Sequence, residues 1–432
     1  MSRFVLATLG SLGDLHPYLA LGVALRDRGH RVCIASSRSW QARVERLHLD
    51  FSPVRPDLAQ AMHSATEVSR RAHRREDGTE YVLKRLVLPF LEDTYDDLLR
   101  AFQGADLAVN HAVLFATPLA AEKLRIPWIS VVLSPGIFLS AHDPPLLPPM
   151  AWFRAFHRLG PFPHRALYRV IDRITGRWMT PVHELRSRLG LSPARTNPVV
   201  AGLFSPWGTL ALFSSVVASP QADWPPATAM TGFVFLDEAS QPLDSVLLDF
   251  LDRGDPPVVF TLGSDAVTDA GSFYRESLQA VRGIGCRAVF LTGEDPRNRL
   301  LEDRTDRVCV RTYADYATLF PRARAVVHSG GIGTIAETLR AGRPMLVVPF
   351  AADQFDNGAR VERHGFGLCL WRERYNAARA RTLLGAVLRD PRFERRTLAA
   401  QRQVLSEDGV SRACALLEKA ASGSTATPAG AS

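Results

Sequence analysis

The 432-residue sequence has no run of the roughly 18 apolar residues that a membrane-spanning helix requires. Its opening residues, MSRFVLATLG, pass from a strand directly into a turn, without the apolar core and small-residue cleavage site of a secretory signal. These absences predict a cytoplasmic protein. Cysteine is scarce: Cys33, Cys286, Cys309, Cys369 and Cys414 are odd in number, scattered and mostly set in apolar runs, which predicts reduced core thiols. None has metal-ligand spacing and no carboxylate motif for a metal is present, so no metal is expected. The formal net charge of +8 comes from 52 Lys+Arg against 44 Asp+Glu and is spread without a dense basic block or a nucleic-acid module. Nucleic acid is therefore not an expected partner. An anionic substrate suits this balance, as does peripheral contact with the inner face of an anionic membrane.

Length and apolar content predict two domains, since 432 residues exceed one ordinary core and 46% hydrophobic residues can fill two. Phe4 to Leu9 reads as a strand, Pro17 to Arg28 as a helix stopped by Gly29, and Arg31 to Ser36 as a second strand, which makes a β-α-β opening. Further strands are predicted near Asp106 to Val109 and Trp128 to Leu133. From His142 to His164 the prolines predict irregular structure, with Trp152, Phe153 and Phe156 forming an apolar surface. A linker-like DEASQPLD follows Thr231-Gly232-Phe233, and a second alternation opens with a strand at Pro257 to Leu262. The expected division is 1–235 for a first domain and 245–405 for a second. A last helix over 406–420 is expected to cross back to the first domain, ahead of a disordered small-residue tail at 421–432.

The densest signal is VVHSGGIGTIAETLRAGRPMLVVPFAADQ, Val326 to Gln354. A β-branched strand, Ala325 to Val327, runs into Gly330, Gly331 and Gly333. A helix is predicted from Thr334, with Glu337 completing a Thr-x-x-Glu capping pattern, and Met345 to Pro349 is the next strand. Free N–H groups and the positive end of the helix dipole would then face the glycines, where a phosphate can sit. His328, at the strand end, is placed to donate to that phosphate. Plainer roles exist for two of these residues: Glu337 as a capping partner only, and His328 as a strand-end histidine bonded to backbone.

With Asp353-Gln354 just past the second strand, this stretch resembles the C-terminal signature of the family 1 UDP-glycosyltransferases, and the resemblance runs through nearly the whole chain. It implies the GT-B fold, an α/β architecture of two Rossmann-like, doubly wound parallel-sheet domains facing a cleft. It also implies that the first domain binds acceptor and the second binds the nucleotide sugar. By that resemblance His328, Gly330, Gly331, Gly333 and Thr334 hold the diphosphate, Glu337 the ribose, and Asp353 and Gln354 the sugar hydroxyls. Tyr313 falls where a family aromatic stacks on the base, with Tyr316 its neighbour and rival. Backbone near Gly263-Ser264 is expected to meet the leaving group.

The first β-α turn, Gly10-Ser11-Leu12-Gly13-Asp14-Leu15-His16-Pro17, lacks a dinucleotide-binding pattern, which disfavours bound NAD. Gly13 is expected beside the donor. Asp14 stands where many members carry a catalytic histidine and where sterol, antibiotic and rhamnolipid glycosyltransferases carry aspartate; it is also a good helix cap. His16 is the second candidate base. The resemblance implies an inverting displacement without a metal, in which Asp14 takes the acceptor proton as the C–O bond forms. Histidine-base members orient the base with an aspartate, whereas the comparable residues here are Val109-Asn110-His111, which leaves the orienting partner open. His111, Trp152 and Phe153 are expected on the acceptor side. No cofactor is expected beyond the co-substrate, a UDP-sugar or dTDP-sugar. Glu337 suits a ribose 2′-hydroxyl, which favours UDP-glucose with an apolar hydroxylated acceptor. Segments such as GSLGDLHP and SAHDPP look like bacterial rhamnosyltransferases, which makes dTDP-rhamnose transfer to a hydroxy fatty acid the alternative. A sugar-nucleotide epimerase and a non-catalytic helper are the other readings.

Overall fold

The computed structural model describes residues 1–64, 66–237, 242–300 and 306–423. Strand β1 (Arg3–Ala7) opens the chain and helix α1 (Leu12–Asp27) follows. The helix begins five residues before Pro17, where the sequence predicts it to start. Ser11 caps it: its hydroxyl accepts from Gly13 N–H, and the Asp14 carboxylate reaches back to Ser11 N–H. This reciprocal box starts the helix early enough that Pro17, which lacks an N–H, lies inside it.

The first sheet adds β2 (Arg31–Ser36), β3 (Asp50–Pro53), β4 (Leu107–His111), β5 (Trp128–Val132), β6 (Thr209–Ala211) and β7 (Thr228–Met230). Its order is β3-β2-β1-β4-β5-β6-β7, with every neighbouring pair parallel. The second sheet contains β8 (Val258–Thr261), β9 (Ala288–Leu291), β10 (Val308–Arg311), β11 (Ala325–His328), β12 (Met345–Val347) and β13 (Gly367–Cys369). Its order is β10-β9-β8-β11-β12-β13, again parallel throughout. Phe4, Leu6, Leu107, Val109, Val258, Phe260, Val326 and Val327 are fully buried, because helices cover both faces of each sheet. Both chains of strands start in the middle, run to one edge, and return to the other side of the first strand. The reversal lies between β1 and β4 in one sheet and between β8 and β11 in the other. Loops leaving those strand ends diverge and open a crevice.

The proline-rich segment is more ordered than its sequence suggests. Residues Pro148–Leu159 form a 3-10 stretch whose prolines, Pro148 and Pro149, occupy the first positions, where a missing N–H costs nothing. Helix α2 (Phe162–Trp178) follows after Gly160. Helices α3 (Ile332–Arg340) and α4 (Gln354–His364) flank β12. Arg360 of α4 is buried, pairs with Asp143 and Asp356, and thereby ties the segment before the 3-10 stretch to the second domain. Asp143 also accepts from Arg363 at 2.8 Å, and Asp356 accepts from Leu146 N–H at 2.9 Å.

The C-terminal helical stretch divides into α5 (Pro391–Ser406) and α6 (Gly409–Ala421), with Asp408 capping the second through Ser411 N–H. Ala413, Cys414, Leu417 and Ala420 of α6 pack into the core of the first sheet beside Phe4, Leu19 and Leu21. The chain thus finishes on the domain where it began. The disordered tail expected over 421–432 begins too early, since Ala421 completes α6 and hydrogen bonds continue its last turn to Ser422 and Gly423; the rest of it, 424–432, lies outside the described residues. No helix among the described residues is long and apolar enough to cross a membrane.

Candidate active site

The second-domain half of the crevice is built by the turn between β11 and α3. Gly330 has φ +93°, and a Cβ there would sit 2.6 Å from Val347 Cγ1, so only glycine fits without displacement. Gly331 and Gly333 face open space. Helix α3 starts at Ile332 with Gly331 as its cap, so the predicted Thr334–Glu337 capping box does not form. The absence of a side chain at Gly331 leaves the first N–H groups of α3 clear, and Thr334 sits in the first turn near Gly263, whose φ is +70°.

His328 is fully buried. Its Nδ1 accepts from Gly330 N–H at 3.0 Å, and its Nε2 lies 3.4 Å from the Met345 sulfur. Burial pushes its pKa down to about 3, so the ring is neutral and, with Nδ1 accepting, carries its proton on Nε2 toward Met345. The backbone-bonded role is the one realised here: His328 fixes the glycine turn and presents no N–H to the crevice.

The first-domain half comes from the ends of β1 and β4. Asp14 Oδ2 accepts from Ser11 N–H at 2.8 Å and from Ser11 Oγ at 3.0 Å. Asp14 Oδ1 lies 3.5 Å from His111 Nε2. His111, expected on the acceptor side, is therefore the group beside the candidate base, and its Nδ1 is buried without a hydrogen-bond partner among the described residues. His16 is held differently. Its Nε2 is 3.0 Å from Arg43 Nη1, and since a guanidinium only donates, that nitrogen's lone pair is occupied. Burial and Arg43 push its pKa down to about 4.

The two halves meet. Leu12 N–H, the first amide of α1, donates to Ser264 Oγ at 3.2 Å. Gly13 is exposed one residue later. Burial pushes Asp353 up to about 6, and the Asp14 charge adds to the shift. Asn357 Nδ2 donates to Asp353 Oδ2 at 2.8 Å and to Gly330 O at 3.0 Å, while Ser134 of the first domain donates to Asn357 Oδ1 at 2.9 Å. Gln354 is buried, and its side-chain oxygen accepts from Phe350 and Ala351 N–H, so it shapes the loop after β12.

Glu337 is half-buried beside a cavity of about 210 Å³ that Tyr316, Ala317, Pro321 and Arg340 also line. Its Oε2 has no hydrogen-bond partner among the described residues, and Arg340 Nη1 is 3.8 Å away. Burial pushes its pKa up to about 7. Tyr316 is partly buried, hydrogen-bonded to Thr261 at 2.7 Å and stacked on Phe320, whereas Tyr313 is exposed. Trp152 stands in solvent, and Phe153 packs on Phe156 and His164.

Residues that the sequence reading missed include Ser11, Ser134, Asn357 and Arg43. Ser11 was readable from Ser-x-x-Asp, the others only from tertiary contact. A further junction joins His73 to Asp265 at 3.2 Å and Ser69 to Thr268 at 2.6 Å.

Residues 4–138 match the glycosyltransferase family 28 N-terminal domain, and residues 291–415 match the erythromycin biosynthesis protein CIII-like C-terminal domain. The chain is 33% identical over 426 residues to O-mycaminosyltylonolide 6-deoxyallosyltransferase of Streptomyces fradiae, covering 96% of this chain and 97% of that protein. It is 28% identical to sterol 3-beta-glucosyltransferase of Aspergillus terreus over 95% of this chain, which spans only 29% of that longer protein. Among solved structures, the glycosyltransferase of kitacinnamycin superposes with a TM-score of 0.69 at 20% identity, covering 97% of this chain and 99% of its own. The glycosyltransferase VinC in complex with dTDP gives 0.67 at 20% identity, covering 98% and 100%.

Proposed function

Because this chain belongs to the family 1 glycosyltransferases of the GT-B fold, we propose that it transfers a hexose, with inversion and without a metal, from UDP-glucose to a hydroxyl of an apolar acceptor. The observation that carries this reading is the meeting of the two reversal-point turns: Leu12 N–H, two residues before Asp14, donates to Ser264 Oγ at 3.2 Å, and the Gly263-Ser264 turn lies beside Thr334 in the first turn of α3.

The diphosphate lies on the free amides at the start of α3, with Thr334 and the Gly263-Ser264 turn beside it. Those amides and the helix dipole take up leaving-group charge as the glycosidic bond breaks. Asp353 and Gln354 face the sugar. Asp14 accepts the acceptor proton as its oxygen attacks the anomeric carbon from the opposite face, and His111 positions that carboxylate. Tyr313 stacks on the base. Glu337 accepts from the ribose, and the lack of a hydrogen-bond partner for its Oε2 among the described residues supports a donor with a 2′-hydroxyl.

One observation favours a second donor. The Streptomyces fradiae relative is named for transfer of a 6-deoxyhexose, which supports a dTDP-6-deoxyhexose such as dTDP-rhamnose. Incubation of the wild type and Asp14→Asn with UDP-glucose or dTDP-rhamnose, each with a panel of sterol, macrolide and hydroxy-fatty-acid acceptors in chelator, separates these readings. Product from UDP-glucose that depends on Asp14 supports the proposal. Product from dTDP-rhamnose alone moves it to the second donor, and transfer unaffected by Asp14→Asn contradicts the mechanism.

A further inference from the structure

The described residues include thirteen large hydrophobic side chains that are exposed, and six of them lie between Trp152 and Ile174. Trp152 is 66% exposed, Leu159 70% and Phe162 75%; Phe156, Val170 and Ile174 complete the set. On α2, Phe162, Val170 and Ile174 fall in register four or eight residues apart, so they form one apolar row along the helix. A second row runs beside it: Arg165, Arg169, Arg173 and Arg177, all exposed and each four residues from the next. Arg158 adds a fifth exposed guanidinium at the end of the 3-10 stretch. Asp172 is the only acidic residue between Trp152 and Trp178. None of Arg158, Arg169, Arg173 and Arg177 is paired with a carboxylate among the described residues, and Arg165 meets only His142. The two helical pieces are joined by ring contacts of Phe153 and His157 with His164, so the apolar side chains are presented together.

We propose that this face, the 3-10 stretch and α2, docks on an anionic lipid surface, with the row of Phe162, Val170 and Ile174 entering the headgroup boundary and the arginine row meeting lipid phosphates. An apolar strip bordered by arginines is what such an interface selects. Charge argues against a second copy of the chain as occupant, since a two-fold contact would bring two unpaired arginine rows together. The same segment continues into Asp143, which Arg360 fastens to α4 beside the crevice, so a docked face would hold the acceptor side of the protein near lipid.

The test is co-sedimentation of the full chain with phosphatidylglycerol vesicles and, separately, phosphatidylcholine vesicles, at low and high salt. Two variants accompany it, R165E/R169E/R173E and F162S/I174S. The proposal predicts binding to the anionic vesicles only, weakened by salt, and reduced roughly a hundredfold by the triple charge reversal. F162S/I174S is expected to lose binding at both salt levels. Nucleotide-induced thermal stabilisation retained in both variants shows that they fold and that the donor site is intact, which keeps this test separate from the proposed catalysis. Absence of binding to either vesicle, or equal binding of wild type and variants, overturns the proposal. A concentration-dependent dimer that F162S/I174S dissociates, without vesicle binding, also overturns it and assigns the face to a second copy.

Discussion

Asp14 Oδ1 and His111 Nε2 lie 3.5 Å apart, joining the first turn of α1 to the end of β4, while Asp14 Oδ2 is fixed by the amide and hydroxyl of Ser11. Both carboxylate oxygens are thus held from the first domain alone. Asp14→Asn keeps the shape of the group and removes its basicity. It is expected to lower kcat by about 10² to 10⁴ with nucleotide affinity unchanged. His111→Gln is expected to lower kcat less, and the double variant to be no worse than Asp14→Asn, because His111 acts through Asp14. Additive losses in steady-state kinetics would show that His111 has a role of its own.

Gly330 and Gly333 predict opposite behaviour within one turn. Gly330→Ala forces a Cβ to 2.6 Å from Val347 Cγ1 at φ +93° and is expected to lower stability by about 1–3 kcal/mol, measured by denaturant unfolding. Gly333→Ala meets nothing within 4 Å and has an ordinary helical position, so stability is expected to hold while nucleotide affinity falls. Unchanged nucleotide affinity in Gly333→Ala would remove the phosphate from this turn.

Much of this arrangement was legible in the sequence because it depends on local rules. The alternating strands and helices specify the two-sheet α/β architecture, and the glycine spacing specifies the turn that precedes α3. What was missed followed from competing local signals or from tertiary contact. Pro17 suggested a helix start, yet the Ser11–Asp14 box begins α1 earlier. Thr334 resembled a cap, yet the bare Gly331 takes that place. The roles of His111, Asn357 and Arg43 depend on which strand ends become neighbours, and no spacing along the chain encodes that. The position of His328 at the end of β11 follows from the strand pattern, whereas the orientation of its ring is set by Gly330 N–H and Met345.

His73 gives a pH dependence to the junction between domains. Burial by itself would lower its pKa, but Asp265 and the Ser69 carbonyl outweigh burial and the net shift is upward. A raised histidine stabilises the folded state fully below its unfolded value of about 6.5, and that contribution is lost as pH rises through the folded value. Thermal unfolding of the wild type and His73→Gln between pH 5.5 and 8.5 is expected to show a stability difference that is largest at the acidic end. A difference independent of pH would mean that His73 is not protonated in the folded protein.

Glu337 predicts pH-dependent donor binding. Its carboxyl, pushed up to about 7 by burial, is protonated in much of the free protein at neutral pH. A raised carboxyl favours the folded state below its unfolded value of about 4.3, and this is lost as pH rises through about 7. Ribose hydroxyls donate best to the ionised form, so UDP affinity by calorimetry is expected to fall as pH drops from 8 to 6, and to do so less in Glu337→Ala.

The most direct test of the account is thermal unfolding at pH 8 with UDP, dTDP or GDP, for wild type and Glu337→Ala together. A ligand at about 100 times its dissociation constant adds roughly 2.7 kcal/mol, enough to move the transition visibly. UDP is expected to stabilise the wild type most, and its advantage over dTDP to disappear in Glu337→Ala. Equal or stronger stabilisation by dTDP would contradict the ribose contact, and no shift with any of the three would contradict the nucleotide-sugar site itself.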